Sequence, residues 1–278
     1  MLPEVADVVA ADRSSLDLAN PDAIVSTVRD VRPDIVINAG AYTAVDLAER
    51  EPDLAFAVNA RAPQILAEEL KRQGGLLIHY STDYVFDGAA TTPYSEDAAP
   101  RPLGIYGASK LEGEHAVAAS GVAALIFRTS WVYGLRGRNF LLTIRRLAAE
   151  RDELRIVADQ TGTPNWARTL AQATAMLIKR GKPYLAERAG LYHLSSAGST
   201  TWHGFATAIL GASAPTRVVP ISTAEYPTPA QRPAYGVLAT ARFVDTFGYQ
   251  PPDWRAALAT CLASDAVAVT TAQRSTLK

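Results

Sequence analysis

The feature that most limits the fold of this 278-residue chain is a regular alternation of apolar, strand-like runs with helix-like segments. Residues 35–37 (Ile-Val-Ile) and 76–80 (Leu-Leu-Ile-His-Tyr) have the continuous apolar character of strands buried on both faces. Asn20-Pro21 predicts a helix start before the first run, and residues 52–72 are mostly helix-like between the two runs. This strand–helix–strand order predicts a parallel sheet with right-handed crossovers.

The same alternation continues along most of the chain. Further strands are predicted at residues 5–11, 124–127, 154–157 and 191–194, and further helices at residues 106–119, 139–151, 166–180 and 199–210. We therefore expect an α/β protein with a doubly wound parallel sheet. The sheet domain is predicted to span residues 1–158, a smaller lobe residues 159–265, and a frayed tail residues 266–278.

The most chemically suggestive residues are Tyr106 and Lys110, which lie four residues apart and so share one face of a predicted helix. An ammonium beside a phenol favours phenolate and lowers the phenol pKa from its usual value of about 10, which would let Tyr106 exchange a proton near neutral pH. Thr82, at the carboxyl end of the strand at residues 76–80, is predicted to hold the substrate oxygen. A Tyr-x-x-x-Lys pair alone is weak evidence, since a surface pair on any helix satisfies it, but the upstream Ser-Thr pair strengthens it.

Longer motifs surround these residues. They are Ser-Thr-Asp-Tyr-Val-Phe-Asp-Gly (81–88), Tyr-Gly-x-x-Lys-x-x-Gly-Glu (106–114), Arg-Thr-Ser-Trp-Val-Tyr-Gly (128–134), Asn-Ala-Gly-Ala-Tyr-Thr-Ala-Val-Asp (38–46) and Tyr-Pro-Thr-Pro-Ala-Gln-Arg-Pro (226–233). Together the motifs resemble the dTDP-4-dehydrorhamnose reductase family of the extended short-chain dehydrogenase/reductase superfamily. The resemblance implies a Rossmann-like, dinucleotide-binding first domain, a mainly substrate-binding lobe, NADPH or NADH as cofactor, and reduction of the C4 keto group of dTDP-4-dehydro-L-rhamnose to dTDP-L-rhamnose, a polysaccharide precursor.

The resemblance also implies roles for individual residues. The catalytic residues would be Thr82, Tyr106 and Lys110. Asp12, at the end of the second strand of such a sheet, would bind the adenosine ribose, and Arg13 could accept a 2′-phosphate, although a solvated turn explains the pair equally simply and the pair does not separate NADH from NADPH. The other expected cofactor contacts are Asp17, Leu18, Ala39, Gly40, Ala41 and Tyr80, besides Tyr106 and Lys110. The expected substrate contacts are Thr43, Val45, Thr82, Asp83, Phe86, Trp131 and Arg232, the last as a bidentate partner of the diphosphate.

Some features depart from the family. About 25 residues, the size of the strand, glycine loop and helix that cradle the pyrophosphate, have no counterpart before Asp12. We expect that either the start is internal to a longer reading frame or the protein is a truncated relative that has lost a central strand and the phosphate site. Gly236 stands where relatives often carry serine. Some relatives bind magnesium through glutamates, but one such position aligns with Arg168, so no metal is expected.

Composition narrows the class of partner. The net charge of −1 argues against nucleic acid or an anionic membrane surface as a ligand, and the single cysteine, Cys261, excludes an internal disulfide framework. The four histidines have no metal-ligand spacing, and His79 is expected to be a core residue. No apolar run approaches the about 20 residues of a membrane span. We expect a cytoplasmic protein, and the sequence leaves open whether it forms a homodimer.

Two other functions remain open from the sequence. One is a different nucleotide-sugar reductase or epimerase of the same superfamily, which would share Thr82, Tyr106 and Lys110. The other is a non-catalytic binding subunit resembling the regulatory subunit of methionine adenosyltransferase. The missing glycine loop favours the non-catalytic alternative, and the intact catalytic trio argues against it.

Overall fold

The computed structural model describes residues 2–275, with side chains through Asp265. In chain order the helices are α1 (Pro21–Val31), α2 (Val45–Ala48), α3 (Pro52–Phe56), α4 (Ala62–Arg72), α5 (Ile105–Ser120), α6 (Phe140–Glu150), α7 (Ala167–Ile178), α8 (Lys182–Ala186), α9 (Trp202–Leu210), α10 (Ala241–Phe247) and α11 (Trp254–Ser275). The strands are β1 (Ile35–Asn38), β2 (Leu76–Thr82), β3 (Ala123–Thr129), β4 (Val132–Tyr133), β5 (Glu153–Val157), β6 (Thr161–Gly162), β7 (Asn165–Trp166), β8 (Gly190–His193), β9 (Thr200–Thr201) and β10 (Arg217–Ile221). None of the helices among these residues is both long and apolar enough to span a membrane.

The chain forms two compact units, each assembled from three separate segments. The first unit contains Met1–Thr129, Gln172–Leu194 and Thr228–Tyr249, and the second contains Ser130–Ala171, Ser195–Pro227 and Gln250–Lys278. The single domain boundary that we expected between residues 158 and 159 therefore matches no border between the two units. A single boundary assumes that each unit is continuous in sequence, whereas here distant segments complete each one.

The first unit is built on a parallel sheet in the order β1-β2-β3-β8. Helices α4 and α5 pack on one face through a cluster that contains Leu70, Leu77, Val117 and Ile126. Aromatic side chains cover the other face, where Phe127 contacts Phe243 of α10 edge-on. The predicted α/β class is confirmed. Because the strands are parallel and Thr82 pairs in register with Thr129, the carboxyl ends of β2 and β3 lie at one edge of the sheet.

Two sequence predictions at the start of this sheet were wrong. Residues 5–11 form no strand, and Val8 and Val9 are 45% and 70% exposed. Residues 35–37 were expected to be buried on both faces, but they are only half-buried because β1 pairs with β2 alone among the described strands. Apolar residues favour a strand only where a neighbouring strand supplies backbone hydrogen bonds, and none is supplied to residues 5–11 in the described structure.

The second unit has its own core. Helices α6, α9 and α11 surround Leu141, Phe205, Trp254 and Cys261, beside the two-stranded parallel pair β5 and β10. The strand predicted at residues 154–157 is confirmed as β5. The frayed tail is wrong for residues 266–275, because α11 continues to Ser275, and residues 276–278 lie outside the described residues.

Candidate active site

Thr82 and Tyr106 meet at the carboxyl edge of the sheet, as the sequence predicted. Thr82 ends β2 and accepts a hydrogen bond from the Tyr84 backbone N–H at 3.2 Å, while Tyr106 lies in the first turn of α5. The Thr82 hydroxyl lies close enough to the phenol to act to lower the pKa of Tyr106. The Tyr106 ring also packs edge-on against Tyr84, with ring centroids 5.5 Å apart. The pair therefore presents two hydroxyl groups to one point.

Lys110 does not occupy the place expected from helix periodicity. Its Nζ donates to the Tyr80 carbonyl oxygen at 2.6 Å and lies 3.4 Å from His79 Nε2, with 1% of the residue exposed. Burial lowers the pKa of Lys110 to about 8, against the carboxylate of Glu114, which raises it. The expectation that Lys110 lowers the phenol pKa is not met. Burial, reinforced by the Asp83 carboxyl, raises the pKa of Tyr106 to about 12.

Helix α5 is held in place by contacts at its first turn and its middle. The Glu49 carboxylate accepts the Ile105 backbone N–H at 2.8 Å, which caps the helix. Asn59 donates to Ser109 Oγ at 3.0 Å. Gly113 brings the helix against the backbone of residue 59, since a Cβ at this position would lie 2.1 Å from the Asn59 carbonyl oxygen. These contacts fix the rotation and height of the helix that carries Tyr106 and Lys110.

The close approach at Gly113 predicts the effect of one methyl group. In an open helix Gly→Ala stabilises by about 1 kcal/mol. Here Gly113→Ala is expected to reduce the free energy of unfolding by about 1–3 kcal/mol, because α5 must move away from residues 57–61 to admit the Cβ. Urea denaturation followed by circular dichroism measures the change, and a gain in stability would show that the contact is looser than described.

Asp83 is buried beside the hydroxyl pair and lacks a full set of partners. It is 2% exposed, Thr82 Oγ1 lies 3.2 Å from its Oδ1, and its Oδ2 has no hydrogen-bond partner among the described residues. Gly236 packs directly against Oδ2, since a Cβ there would come within 2.5 Å of it. Burial raises the pKa of Asp83 to about 7.

This raised pKa has a signed consequence for stability. Because the pKa of Asp83 is about 7 in the folded chain, well above its ordinary 3.8, the protonated folded form contributes stability that is lost as pH rises through about 7. Asp83→Asn, which mimics the protonated acid, should stabilise the chain more at about pH 8 than at about pH 5, by roughly 2–3 kcal/mol, because the folded wild type gives up its proton between these two pH values.

Asp87→Asn is the control for this prediction, and its expected change in stability at about pH 8 has the opposite sign. Hydrogen bonds from the Ala89 backbone and the Tyr94 hydroxyl lower the pKa of Asp87, so Asp87→Asn should reduce stability at about pH 8. Thermal melts at the two pH values measure both variants. An Asp83→Asn effect that is equal at the two pH values would contradict the prediction.

Arg232, expected at the substrate diphosphate, is paired within the chain. Its Nη2 donates to Asp46 Oδ2 at 2.7 Å, and Asp46 Oδ1 accepts the Ala230 N–H at 3.2 Å. Its Nη1 is buried and without a hydrogen-bond partner among the described residues. The guanidinium thus retains one donor group for a ligand, and its contact with a diphosphate stays a prediction.

The other expected substrate residues of the first unit differ in exposure. Thr43 is exposed, and Val45 shares the lining of a small cavity with Tyr84 and Tyr106. The prediction that Phe86 contacts the substrate is corrected, because its ring is fully buried and stacks on Tyr94 with centroids 4.1 Å apart. A side chain with no exposed surface contributes to the core and offers no face to a ligand.

Trp131 lies in the second unit and has an unusual backbone. Its φ is +42°, a conformation that bulky side chains rarely adopt. One face of the indole stacks on Trp202, with centroids 3.5 Å apart and planes 9° apart, and a Cβ at Gly162 would lie 2.5 Å from its Cε2. That face of the indole is therefore covered by Trp202 and is not open to a ligand. A substrate contact through the rest of the side chain stays a prediction.

Comparison with known proteins gives this arrangement a family. The chain matches the family model described as RmlD substrate binding domain over residues 2–267. It is 48% identical over 273 residues to dTDP-4-dehydrorhamnose reductase of Burkholderia thailandensis, covering 94% of this chain and 92% of that protein. The chain belongs to the dTDP-4-dehydrorhamnose reductase family. The resemblance inferred from the motifs is confirmed.

Other members of the reductase family agree in sequence and in fold. The dTDP-4-dehydrorhamnose reductase of Escherichia coli K12 is 43% identical over 248 residues, which is 86% of this chain and 82% of that protein. The crystal structure of the Bacillus anthracis dTDP-4-dehydrorhamnose reductase in complex with NADP is 36% identical, with a TM-score of 0.86 and coverage of 95% of this chain and 92% of that one.

Several of the residues expected to contact the dinucleotide lie on loops. Ala39 and Gly40 follow β1 and are exposed, so no side chain blocks approach to the backbone there. Gly40 packs on Leu18, since a Cβ would lie 2.7 Å from Leu18 Cδ1, and Ala41 is half-buried. Tyr80 lies deeper, with its hydroxyl 2.5 Å from Thr174 Oγ1. The backbone after β1 is therefore open at the sheet edge that carries Tyr106, and its contact with a dinucleotide stays a prediction.

Asp12 and Arg13 lie in an exposed turn, which is the alternative to ribose binding that the sequence left open. Asp12 Oδ1 accepts hydrogen bonds from the Ser14 and Ser15 N–H groups at 2.9 and 3.1 Å, and these bonds with the serine hydroxyls lower its pKa. Asp12, Arg13 and Asp17 are exposed. The carboxylate of Asp12 is therefore ionised and accessible, and its contact with a ribose stays a prediction.

Sequence reasoning missed several residues that support this reductase site. Asp46 and Glu49 anchor Arg232 and the start of α5, and Glu114 holds Arg128 with Nη2–Oε2 and Nε–Oε1 distances of 2.6 and 2.9 Å. Ser81, next to Thr82, donates to the same Glu114 carboxylate. Glu114 was visible as the last residue of the motif at 106–114. Nothing local in the sequence pointed to the partners of Asp46 or Glu49.

Proposed function

We propose that this chain catalyses the NAD(P)H-dependent reduction of the C4 keto group of dTDP-4-dehydro-L-rhamnose to dTDP-L-rhamnose. The observation that supports the proposal most directly is the proximity of the Thr82 and Tyr106 hydroxyl groups at the carboxyl edge of the sheet, in a chain of this reductase family. The first unit would bind most of the dinucleotide, and the second would bind mainly the substrate.

The residues have distinct parts in this reaction. When bound, the reduced dinucleotide supplies the hydride for the C4 carbonyl carbon. Tyr106, whose pKa of about 12 keeps it protonated at neutral pH, donates its phenolic proton to the oxygen that becomes the C4 hydroxyl. Thr82 hydrogen-bonds the same oxygen and so stabilises its developing charge. Lys110 supports the ribose side of the cofactor and fixes the end of β2 through the Tyr80 carbonyl.

The remaining contacts are part of the same proposal. Cofactor contacts are assigned to Asp12, Arg13, Asp17, Leu18, Ala39, Gly40, Ala41 and Tyr80, and substrate contacts to Thr43, Val45, Asp83, Trp131 and Arg232. A homodimer and a cytoplasmic location stay predictions, and light scattering of the purified chain tests the first.

A coupled assay tests the reaction itself. dTDP-glucose, the dehydratase and the epimerase that together make the keto sugar, and either NADPH or NADH are combined with the purified chain. We expect dinucleotide oxidation matched by formation of dTDP-rhamnose, and a large loss of both when the epimerase is omitted. Dinucleotide binding without turnover of this substrate by a folded chain would contradict the proposal.

A further inference from the structure

His79 is a fully buried polar residue in β2 whose two ring nitrogens both face polar groups. Its Nδ1 lies 3.1 Å from Asn38 Nδ2, and its Nε2 lies 3.4 Å from Lys110 Nζ. Asn38 is the register neighbour of His79 on β1. Asn38, His79 and Lys110 are 5%, 0% and 1% exposed. A buried polar group is costly unless it is hydrogen-bonded, so the proton positions in this trio must be compatible with one another.

The proton positions follow from the chemistry of the three groups. Burial and the nearby Lys110 hold the pKa of His79 well below its usual range, so the ring is neutral, with one donor and one acceptor nitrogen. If Lys110 is an ammonium it can only donate, so Nε2 must be the acceptor. The ring proton is then on Nδ1, and Asn38 must present its oxygen, which takes the place of Nδ2 after a half-turn of the amide.

A neutral Lys110 reverses the arrangement. An amine can accept, so Nε2 carries the ring proton and donates to Nζ. Asn38 then donates from its amide nitrogen to Nδ1, which is the amide orientation in the structure. The two arrangements differ by one proton on Nζ, exchanged with solvent, and by the position of the ring proton on His79.

We propose that His79 is a positioning residue that stabilises the ammonium form of Lys110 by accepting a hydrogen bond at Nε2, with the Asn38 amide turned so that its oxygen accepts a hydrogen bond from the ring proton on Nδ1. The proposal goes beyond the catalytic residues Thr82, Tyr106 and Lys110, because His79 and Asn38 have no assigned part in the proposed reaction. It rests on the proposed function only for its effect on rate.

The charge of Lys110 responds to a small set of groups. From β2 they are His79 and the Tyr80 carbonyl, which accepts at 2.6 Å. From α5 they are Tyr106 and Glu114, one turn before and after, and from β3 Arg128 binds Glu114. Burial lowers the pKa of Lys110 to about 8, and Glu114 opposes it. Because this pKa lies near neutral pH, loss of one acceptor would leave a large fraction of Lys110 uncharged.

Two substitutions of His79 distinguish the loss of the acceptor at Nε2 from the loss of the imidazole ring as a whole. The side-chain amide of glutamine reaches the position of Nε2, so His79→Gln keeps an acceptor for Lys110. The shorter His79→Asn reaches only the position of Nδ1. Both remove the ring, so a merely structural role would affect them similarly. His193→Gln removes another fully buried histidine, whose Nδ1 contacts the Ala239 carbonyl at 3.2 Å, and serves as the control.

The readout is the titration of Lys110 by NMR in isotope-labelled protein, which does not need activity. The chain has five lysines, so the Cε signal of Lys110 can be assigned by Lys110→Arg. We expect the titration midpoint to fall by about one pH unit in His79→Asn, a tenfold change in the ionisation constant, and to stay within a few tenths of a unit in His79→Gln and His193→Gln. Equal shifts in the two His79 variants, or none in His79→Asn, would overturn the proposal.

The wild-type chain provides a measurement that does not depend on a folded variant. Ring-nitrogen chemical shifts should show the His79 proton on Nδ1 below the Lys110 midpoint and on Nε2 above it. A tautomer that stays the same through that midpoint also rejects the proposal. In the reductase assay, the alkaline limb of the pH profile should shift to lower pH in His79→Asn. It should stay in place in His79→Gln and His193→Gln. An inactive wild type would count against the proposed function and leave the NMR result standing.

Discussion

Tyr106→Phe is expected to lower turnover by about 100-fold or more, the usual contribution of a positioned general acid. The substitution removes the proton that the C4 oxygen must gain but keeps the ring that packs edge-on against Tyr84 at 5.5 Å. Binding of the dinucleotide and the sugar nucleotide should change little, so kcat falls more than KM rises. Steady-state kinetics measured over a range of pH give both quantities.

Tyr133→Phe is the matched control for this result. Tyr133 is 2% exposed in the second unit, and its hydroxyl has no hydrogen-bond partner among the described residues. Removing that hydroxyl should leave both turnover and stability close to wild type, since no bond is lost. If Tyr106→Phe retained wild-type turnover, Tyr106 would not be the acid, and the proposed reaction would need another proton source.

Arg128→Met is expected to cause the largest loss of stability, about 3–5 kcal/mol of the free energy of unfolding. Arg128 and Glu114 are 3% and 4% exposed and form a forked ion pair, while the arginine also lies over the Phe86 ring at 5.1 Å. Methionine preserves much of the apolar volume but leaves the Glu114 carboxylate buried, with the Ser81 hydroxyl as its remaining side-chain donor among the described residues. An uncompensated buried charge explains the size of the effect.

A double-mutant cycle distinguishes the lost pair from lost packing. Adding Glu114→Gln to Arg128→Met removes the stranded charge and should recover a large part of the lost stability. The exposed pair Arg146–Glu150 is the control, since Arg146→Met should cost less than about 1 kcal/mol. Urea unfolding curves of the wild type, Arg128→Met, Glu114→Gln, the double variant and Arg146→Met give the values that the comparison needs. A loss below about 1 kcal/mol for Arg128→Met would mean that the pair contributes no more than an exposed one.

The sequence was sufficient for those parts of the site that depend on local pattern and sheet topology. A parallel strand ending at Thr82 and a helix beginning near Tyr106 necessarily place both residues at the same edge of the sheet. The direction of the Lys110 side chain was not predictable in this way. Helix periodicity gives the face on which a long side chain starts, but its end goes to the nearest acceptors, here the Tyr80 carbonyl and His79.

Contacts between distant segments were the least predictable. Asp46 and Arg232 are separated by 186 positions, and no local pattern relates them. The strand expected at residues 5–11 failed for a similar reason, since apolar composition says nothing about whether a partner strand is adjacent. Trp131 was identified as special, but its partner Trp202 belongs to a different segment of the second unit, so the stack could not be read from either motif.

The interleaving of segments has a consequence for synthesis on the ribosome. The first unit cannot be completed until Thr228–Tyr249 has emerged, and the second needs Gln250 and the residues after it. Until then, the apolar surfaces that these late segments cover in the folded protein stay exposed. We therefore expect the nascent chain to depend on chaperones until these late segments have been made. No single proteolytic cut should release either unit intact.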